Sequence, residues 1–313
     1  MALWFVIGAR SPARRRGKES SGPGAKVPPP DEREEGAGTI LVYACIAPHG
    51  GEAVPSLGAP ASGRAAATQQ AFRRLRSEAG EACVETWVVI TPHGVRVDGT
   101  MAISDTERAR ADIAAAGPTG QPLRLEAVVD RELAQALAAR SIERGVPAAR
   151  VGYGGSSGPA SVYPMDWGAA VPLHLIAADD GARVVLVVPS RSLSWEDMVR
   201  FGEAVAEVAG ASGRRVGLIA SSDLAHAHDP DGPYGFDEAA GVYDHAVRDA
   251  VEAGDLMRLL AIEPHLVAAA KPDGQWQILV LAGALCKWPR RPVFLSYEVP
   301  TYFGMLCATC VPA

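Results

Sequence analysis

Short apolar runs alternate with longer amphipathic stretches from residue 39 to the end of the chain. Four continuous runs rich in Val, Ile and Leu predict strands that are buried on both faces, at residues 39–47, 86–91, 183–189 and 215–221. Stretches with helical periodicity predict helices at residues 63–78, 130–144, 194–209 and 236–253. This alternation predicts an α/β fold, a single domain in which a central, mostly parallel sheet is flanked by helices.

The two ends of the chain depart from this pattern. Residues 292–300 and 301–310 alternate in polarity or are rich in aromatic side chains, which predicts two C-terminal strands. Residues 11–38 are rich in Pro, Gly, Arg and Glu and offer almost nothing to bury. We therefore expect residues 1–38 to be a disordered extension and residues 39–313 to form the domain.

Composition and charge exclude several classes of protein. The chain has 30 Lys and Arg against 36 Asp and Glu, a net charge of −6, and so lacks the basic excess that nucleic-acid binding requires. No window reaches the roughly 18 apolar residues needed to span a bilayer. Five cysteines, an odd number in a chain large enough to bury its own core, fit a reducing compartment. We expect a cytoplasmic protein with no nucleic-acid partner and no membrane segment.

Two histidines follow buried strands within the same tripeptide. Pro48-His49-Gly50 comes after the first predicted strand, and Pro92-His93-Gly94 comes after the second. Ligands of open α/β sheets gather outside the carboxyl ends of the strands, so the two loops can converge. Proline ends the strand ladder and glycine permits a sharp turn, which leaves each imidazole presented rather than packed. Because neutral imidazole is the commonest metal ligand, the recurrence favours a metal site over two plain turn histidines.

Other chemically active side chains follow the later strands. The fourth predicted strand runs into a polar loop that carries His226 and His228, and we expect His228 to be the bystander. Glu298 lies in a predicted C-terminal strand, where its carboxylate either faces water at a sheet edge or is a buried ligand, since burying an unpaired charge is too costly. Arg191 follows the third strand and either binds a substrate carboxylate or caps the next helix.

Five motifs together resemble those of a known enzyme family. They are Pro-His-Gly at 48–50 and at 92–94, Asp-Trp-Gly at 166–168 with Val-Pro-Leu at 171–173, Asp-Leu-Ala-His at 223–226, and Tyr-Glu-Val-Pro at 297–300. With them the chain resembles the class III extradiol ring-cleavage dioxygenases, and more narrowly the catalytic B subunits typified by protocatechuate 4,5-dioxygenase. The resemblance covers residues 39–310 in the family's order. It implies a mononuclear non-haem Fe(II) that opens a catechol ring beside its paired hydroxyls with O2.

The resemblance also implies a role for individual residues. His49 and His93 would be the imidazole ligands of the metal, and Glu298, on the C-terminal strands, would be the carboxylate ligand. His226 would be the catalytic acid and base. Two histidines and one carboxylate on one face of iron leave coordination positions open for substrate and dioxygen. A small aromatic diol and O2 are the expected reactants, and a homo-oligomer is the expected assembly.

The sequence leaves some alternatives open. Asp166 is expected to support the site from behind the ligands, but it is followed by Trp167, where the family usually has His. Memo-like proteins share the histidine loops and are not established ring-cleavage enzymes, so a metal-binding or interaction protein is an alternative. The same ligands suit zinc, which makes zinc the second candidate metal and a zinc hydrolase a further alternative. A Gly-x-Ser-x-Gly match at 154–158 does not favour a serine hydrolase, because prolines follow where that motif needs a helix.

Overall fold

Strands and helices alternate along the chain in the computed structural model, which describes residues 41–177 and 181–313. The predicted extension of residues 1–38 lies outside the described residues. The strands are β1 (Tyr43–Ala47), β2 (Thr86–Ile90), β3 (Met101–Ser104), β4 (Arg108–Ile113), β5 (Leu123–Val128), β6 (Ala148–Val151), β7 (Val162–Pro164), β8 (Arg183–Val188), β9 (Val216–Ser221), β10 (Arg290–Glu298) and β11 (Met305–Pro312). The α-helices are α1 (Ala66–Glu81), α2 (Arg131–Glu143), α3 (Trp167–Ile176), α4 (Trp195–Ala211), α5 (Ala239–Glu252), α6 (Pro264–Ala270) and α7 (Gln275–Lys287).

Eight of these strands form one sheet in the order β10-β11-β1-β9-β2-β8-β3-β6. The four central strands β1, β9, β2 and β8 are parallel to one another. Antiparallel pairing joins β11 to β1 and β3 to β8 at the two sides of this centre. The predicted α/β fold with a mostly parallel central sheet is confirmed, and β5, β4 and β7 add a smaller three-stranded sheet.

Both faces of the large sheet are buried. Adjacent residues of β2 show this. Val88 belongs to the hydrophobic cluster that includes residues of α2, α4, α5 and α7, whereas Val89 belongs to the cluster that includes residues of α1 and α3. Successive side chains of a strand point to opposite faces, so a strand covered on both sides needs a continuous apolar sequence. This accounts for the unbroken apolar runs from which the central strands were predicted.

Some elements have no such signature in the sequence. β4 alternates exposed arginines with buried alanines, so its charge obscures the strand pattern. α7 is buried over most of its length and has no polar face to reveal a helical period. In residues 41–177 and 181–313, no helix combines the length and the apolar character that a bilayer crossing requires.

The sheet order sets the position of the candidate site. β1, β9 and β2 are neighbours and run in the same direction, so the loops that follow them leave the sheet side by side. Those loops carry His49, His226 and His93 in that spatial order. The predicted convergence of the histidine loops beyond the carboxyl ends of these strands follows directly from this topology.

Candidate metal centre

Two of the three histidines meet directly. The Nε2 atoms of His49 and His93 are 3.3 Å apart, and the two rings are perpendicular with centroids 5.1 Å apart. His49 is fully buried, whereas about a quarter of the His93 side chain is exposed. The loops after β1 and β2 therefore place two ring nitrogens at one point beyond the carboxyl ends of these strands.

The carboxylate at this point belongs to Asp273, just before α7. Its Oδ2 atom lies 3.2 Å from Nε2 of His49, 3.5 Å from Nε2 of His93 and 3.9 Å from Nε2 of His226. The potential ligand atoms of His49, His93 and Asp273 all lie within 4.8 Å of one another. The sequence prediction did not include Asp273, and its one local signal is a Lys-Pro-Asp-Gly segment ahead of a long apolar run.

Asp223 ties the loops of the site together. Its Oδ1 accepts a hydrogen bond from the His49 backbone N–H at 3.0 Å, and its Oδ2 lies 3.2 Å from Nε2 of His49. Its own backbone N–H donates to Oδ1 of Asp273 at 3.1 Å. Asp223 also forms a second potential ligand group with His226 and Asp273. The loop after β9 thereby fixes the relative positions of the loop after β1 and of the residue that precedes α7.

The charges in this cluster are strongly coupled. Burial lowers the pKa of His49, but the carboxylates of Asp223 and Asp273 outweigh burial and raise this pKa to about 9. Burial raises the pKa of Asp223 to about 7, against the opposing effect of His49. Burial also acts to raise the pKa of Asp273, but nearby His49 holds it well below its usual range. Asp273 is therefore the ionised carboxylate of a buried cluster that attracts positive charge.

Ser221, the last residue of β9, orients the His49 ring. Its hydroxyl donates to the carbonyl of Gly168, so its oxygen is free to accept the Nδ1–H of His49, 3.0 Å away. With one proton held on Nδ1, the ring would bind a metal through Nε2, which faces Asp273, once Nε2 has given up its own proton. The sequence did not reveal this contact, because Ser221 and His49 lie 172 residues apart.

His226 stands beside the ligand group among aromatic rings. Phe303 stacks on it with ring centroids 5.5 Å apart, and Tyr234 and Tyr302 lie at 5.5 and 5.9 Å. Burial lowers the pKa of His226. Its Nδ1 is buried and has no hydrogen-bond partner among the described residues. The other ring nitrogen of His226, Nε2, is the one that lies beside the cluster, 3.9 Å from Oδ2 of Asp273.

Glu298 is held away from the histidines. Its carboxylate accepts hydrogen bonds from the backbone N–H groups of Ala67 and Thr68 and from the Thr68 hydroxyl, at 2.8–3.1 Å. These groups are in the first turn of α1, whose N-cap residue Ala65 has no side-chain acceptor. A carboxylate is favourable there because it satisfies free N–H groups and meets the positive end of the helix dipole. The predicted Glu298 ligand is therefore corrected, since the carboxylate that lies with the histidines is Asp273.

Asp166 and Trp167 form the wall next to His93. Asp166 caps α3 by accepting from the Ala169 N–H at 3.1 Å, and it accepts from the Thr91 hydroxyl at 2.7 Å. The indole of Trp167 lies against the His93 imidazole with centroids 4.1 Å apart, and half of it is exposed. Asp166 thus fixes the end of β2 near His93, and Trp167 restricts the tilt of the His93 ring.

The other two candidate residues lie outside the ligand group. Nε2 of His228 is 2.7 Å from Oδ2 of buried Asp244, so His228 faces away from Asp273 and joins a separate network. Arg191 places its guanidinium over the Trp276 ring, 4.9 Å from the centroid, at an exposed position. The capping box of α4 is made by Ser194 and Asp197 without Arg191, which leaves the arginine available to a ligand.

The donor set suits a divalent transition metal. Two imidazole nitrogens and one ionised carboxylate in a buried cluster are ligands that both Fe(II) and zinc accept. A cation at this point would relieve the crowding of Asp223 and Asp273, whose carboxylates otherwise depend on His49 for a positive charge. The described residues therefore meet the chemical requirements of a mononuclear metal site.

This chain is similar to an enzyme family, to a clostridial protein and to a solved bacterial structure. The family model described as the catalytic LigB subunit of aromatic ring-opening dioxygenase matches residues 43–302. The chain is 22% identical over 253 residues to Protein CA_C1420 of Clostridium acetobutylicum, covering 81% of this chain and 54% of that protein. The chain thus spans about half the length of this curated relative. A crystal structure of the uncharacterized protein JW3007 from Escherichia coli K12 matches with 14% identity and a TM-score of 0.48, over 76% of this chain and 91% of that one.

Proposed function

Because the chain belongs to the family of catalytic LigB subunits of aromatic ring-opening dioxygenases, we propose that it is an Fe(II)-dependent extradiol dioxygenase of a catechol. The observation that carries the proposal is the convergence of His49, His93 and Asp273, with His226 beside them. The proposed reactants are a small aromatic diol and O2. A homo-oligomeric assembly and a cytoplasmic location stay predictions.

In this proposal the metal ligands are His49, His93 and Asp273. These three residues would hold Fe(II), which when bound would supply open coordination positions for a catecholate and dioxygen. Asp223 holds the ligand loops in register through the His49 N–H and Asp273. Ser221 keeps the Nε2 lone pair of His49 directed at the metal position. These contacts preorganise the site before substrate arrives.

His226 is the proposed proton carrier. Its Nε2 lies 3.9 Å from Oδ2 of Asp273, within reach of a substrate hydroxyl held beside the ligand group. The hydrogen bond from its backbone N–H to the Ala270 carbonyl, at 2.9 Å, fixes the loop that carries it. His226 would accept the second hydroxyl proton of the catechol at Nε2 and return a proton during ring opening.

The aromatic side chains around His226 form the proposed substrate wall. Phe303 is buried against the His226 ring, and Tyr302 contacts both rings. Gly50 touches this wall closely, because a Cβ built on it would lie 2.6 Å from the Phe303 ring. An aromatic substrate would stack against this surface, which also excludes water from the reacting atoms.

A metal-binding protein without ring-opening activity is the second candidate. One observation supports it: Glu298, the carboxylate ligand that the family resemblance implies, caps α1 and does not join the histidines. The ligand group would also hold zinc, which would give a Memo-like binding protein or a zinc hydrolase. Metal identity and turnover therefore have to be measured together.

The test is oxygen uptake by anaerobically purified protein reconstituted with Fe(II), across a panel of plain and carboxylated catechols. We expect uptake matched by a yellow ring-opened product. Asp273→Asn should lose both metal and activity, because it removes the charged ligand. Glu298→Gln should retain one metal per chain and most of the activity, because this substitution alters the cap of α1 and not the ligand group.

Two outcomes would overturn the proposal. Absence of uptake with every catechol, despite one bound metal, would leave the second candidate. Loss of metal in Glu298→Gln with full retention in Asp273→Asn would show that the ligand set is wrong. Metal content measured on each variant keeps these outcomes separate from a general failure to fold.

A further inference from the structure

An open cavity of about 490 Å³ adjoins the candidate metal centre. It lies among the start of α4, the helices α6 and α7, and the loop that carries Tyr234. Two features connect it to the site: Tyr234 contacts the His226 ring, and the lining residues Lys271 and Pro272 directly precede Asp273. A molecule in the cavity would thus extend toward the ligand group along the Tyr234 side.

Two cationic side chains line this cavity, and none of the described residues that line it is acidic. Arg191 rests one face of its guanidinium on Trp276, and its N–H groups have no hydrogen-bond partner among the described residues. The Nζ of Lys271 contacts the Tyr234 carbonyl at 3.4 Å, which leaves donors unused. Within residues 41–177 and 181–313, no carboxylate forms an ion pair with either side chain. Two unpaired cations in one cavity are complementary to an anionic group.

The remaining walls are aromatic or apolar. Trp195, Tyr234 and Trp276 provide ring surfaces, and the other lining residues are Pro, Val and Ala. Such walls favour a planar hydrophobic body next to the anion. The volume falls in the range of pockets that bury ligands larger than a single ring.

We propose that this cavity binds the distal, carboxylate-bearing part of an elongated aromatic acid. The carboxylate would meet Arg191 and Lys271, the body of the molecule would lie on Trp276 and Tyr234, and the reacting ring would project past Tyr234 toward His226. As a statement about substrate, this inference rests on the proposed dioxygenase function. The binding itself requires neither metal nor oxygen, so it is tested separately.

The test is equilibrium binding of biphenyl-4-carboxylate to the full chain as purified, measured by calorimetry and by quenching of tryptophan fluorescence. Biphenyl-4-carboxamide, which lacks the charge, and benzoate, which lacks the length, should each bind at least about tenfold more weakly. Arg191→Gln and Lys271→Gln should each raise the dissociation constant of the biphenyl acid by about tenfold or more. Arg183→Gln, an exposed arginine at the opposite end of β8, is the matched control and should leave binding unchanged.

The outcomes separate this proposal from the proposed function. Oxygen uptake with simple catechols and no binding of the biphenyl acid would overturn the cavity proposal and leave the dioxygenase. Equal binding of the acid and the amide, or equal loss of binding in Arg183→Gln, would also overturn it. Charge-dependent binding that is lost in the Arg191 and Lys271 variants would support the cavity even in a protein that turns over no catechol.

Discussion

A single hydroxyl determines which nitrogen of His49 faces the metal position. The proton of Ser221 is committed to the Gly168 carbonyl, so its oxygen accepts the Nδ1–H of His49. Outer hydrogen bonds of this kind set the tautomer and the ring angle of a ligand, and their loss weakens metal binding by roughly 10–100-fold. The site therefore depends on a residue that carries no chemistry of its own.

We predict that Ser221→Ala raises the dissociation constant of the metal by about 10–100-fold. The reason is that the His49 ring loses its acceptor and is free to rotate. Competition against a chelator of known affinity measures the change. Ser222→Ala is the matched control, because the Ser222 hydroxyl, one residue beyond β9, donates to the Ala220 carbonyl and to no other described residue. Equal affinity in the two variants would contradict the orienting role of Ser221.

At the scale of elements, the loop after β9 depends on a buried carboxylate from α5. Asp244 accepts hydrogen bonds from the Ala225 N–H at 2.8 Å and from the Tyr297 hydroxyl at 2.7 Å, and it lies 2.7 Å from Nε2 of His228. Gly304 permits this approach, since a Cβ there would lie 2.2 Å from the Asp244 carboxylate. α5, the loop that carries His226 and the β10-β11 hairpin are joined at this residue.

Tyr297→Phe should lower the free energy of unfolding by about 1.5–3 kcal/mol, the usual contribution of a hydrogen bond to a charged group. Metal content should stay at the wild-type level, because Asp244 keeps its contacts with Ala225 and His228. Urea unfolding followed by circular dichroism measures the change. Tyr153→Phe, at a position that is more than half exposed, serves as the control. Similar stability of the two variants would show that the Tyr297 hydroxyl does not hold the hairpin.

The elements differ in how well the sequence predicts them. The buried strands β1, β2, β8 and β9 and the amphipathic helices α1, α2, α4 and α5 were predicted to within a few residues, because burial imposes a period on the sequence. β4 and α7 were missed because charge in one and uniform apolarity in the other obscure the period. Missing α7 also removed the context in which Asp273 would have been considered.

The sequence likewise predicts some residues of the candidate site and not others. His49 and His93 were predictable, since a repeated tripeptide after two parallel strands places them at one edge. Glu298 lies away from the histidines, and Asp273 lies with them, for a tertiary reason. A carboxylate on a terminal strand supplies the cap that α1 lacks, and nothing local to Glu298 indicates this contact with a helix 230 residues away.

On the scale of the whole molecule, a buried carboxylate, Asp130, lies at the amino-terminal ends of the central strands, opposite the metal centre. Asp130 is fully buried beside the guanidinium of Arg214 and accepts from the Leu133 N–H and the Thr86 hydroxyl. Burial acts to raise the pKa of Asp130, but these partners outweigh it and lower the pKa below its usual value of 3.8. This group joins α2, β2 and the segment that leads into β9.

Asp130→Asn should therefore lower the free energy of unfolding at pH 7 by about 1.5–3 kcal/mol. Because the folded protein has the lower Asp130 pKa, this stabilisation is present above pH 3.8 and is lost as the pH falls through the folded value. The difference between wild type and variant should shrink toward zero below pH 3.8. Urea unfolding at several pH values between 7 and 3 measures it.

The control for this prediction is Asp112→Asn, whose ion pair with Arg124 is mostly exposed. Exposed pairs contribute about 0–1 kcal/mol, so that variant should differ little from wild type at any pH. If Asp130→Asn lowered the free energy of unfolding by the same amount at every pH, the shape of the side chain, and not its charge, would account for the destabilisation.

The separation of the site residues along the chain has a consequence for the order of events in folding. His49 and Asp273 are 224 residues apart, so their ligand atoms meet only after β1, β9, β2 and α7 have assembled. Contacts between such distant residues form late, since closing a long loop precedes any gain from the contact. If the ligand set is incomplete in the folding transition state, a metal held there would slow the unfolding rate and leave the folding rate unchanged. The metal supply would then determine how long the folded chain lasts before it unfolds, and not how fast it folds.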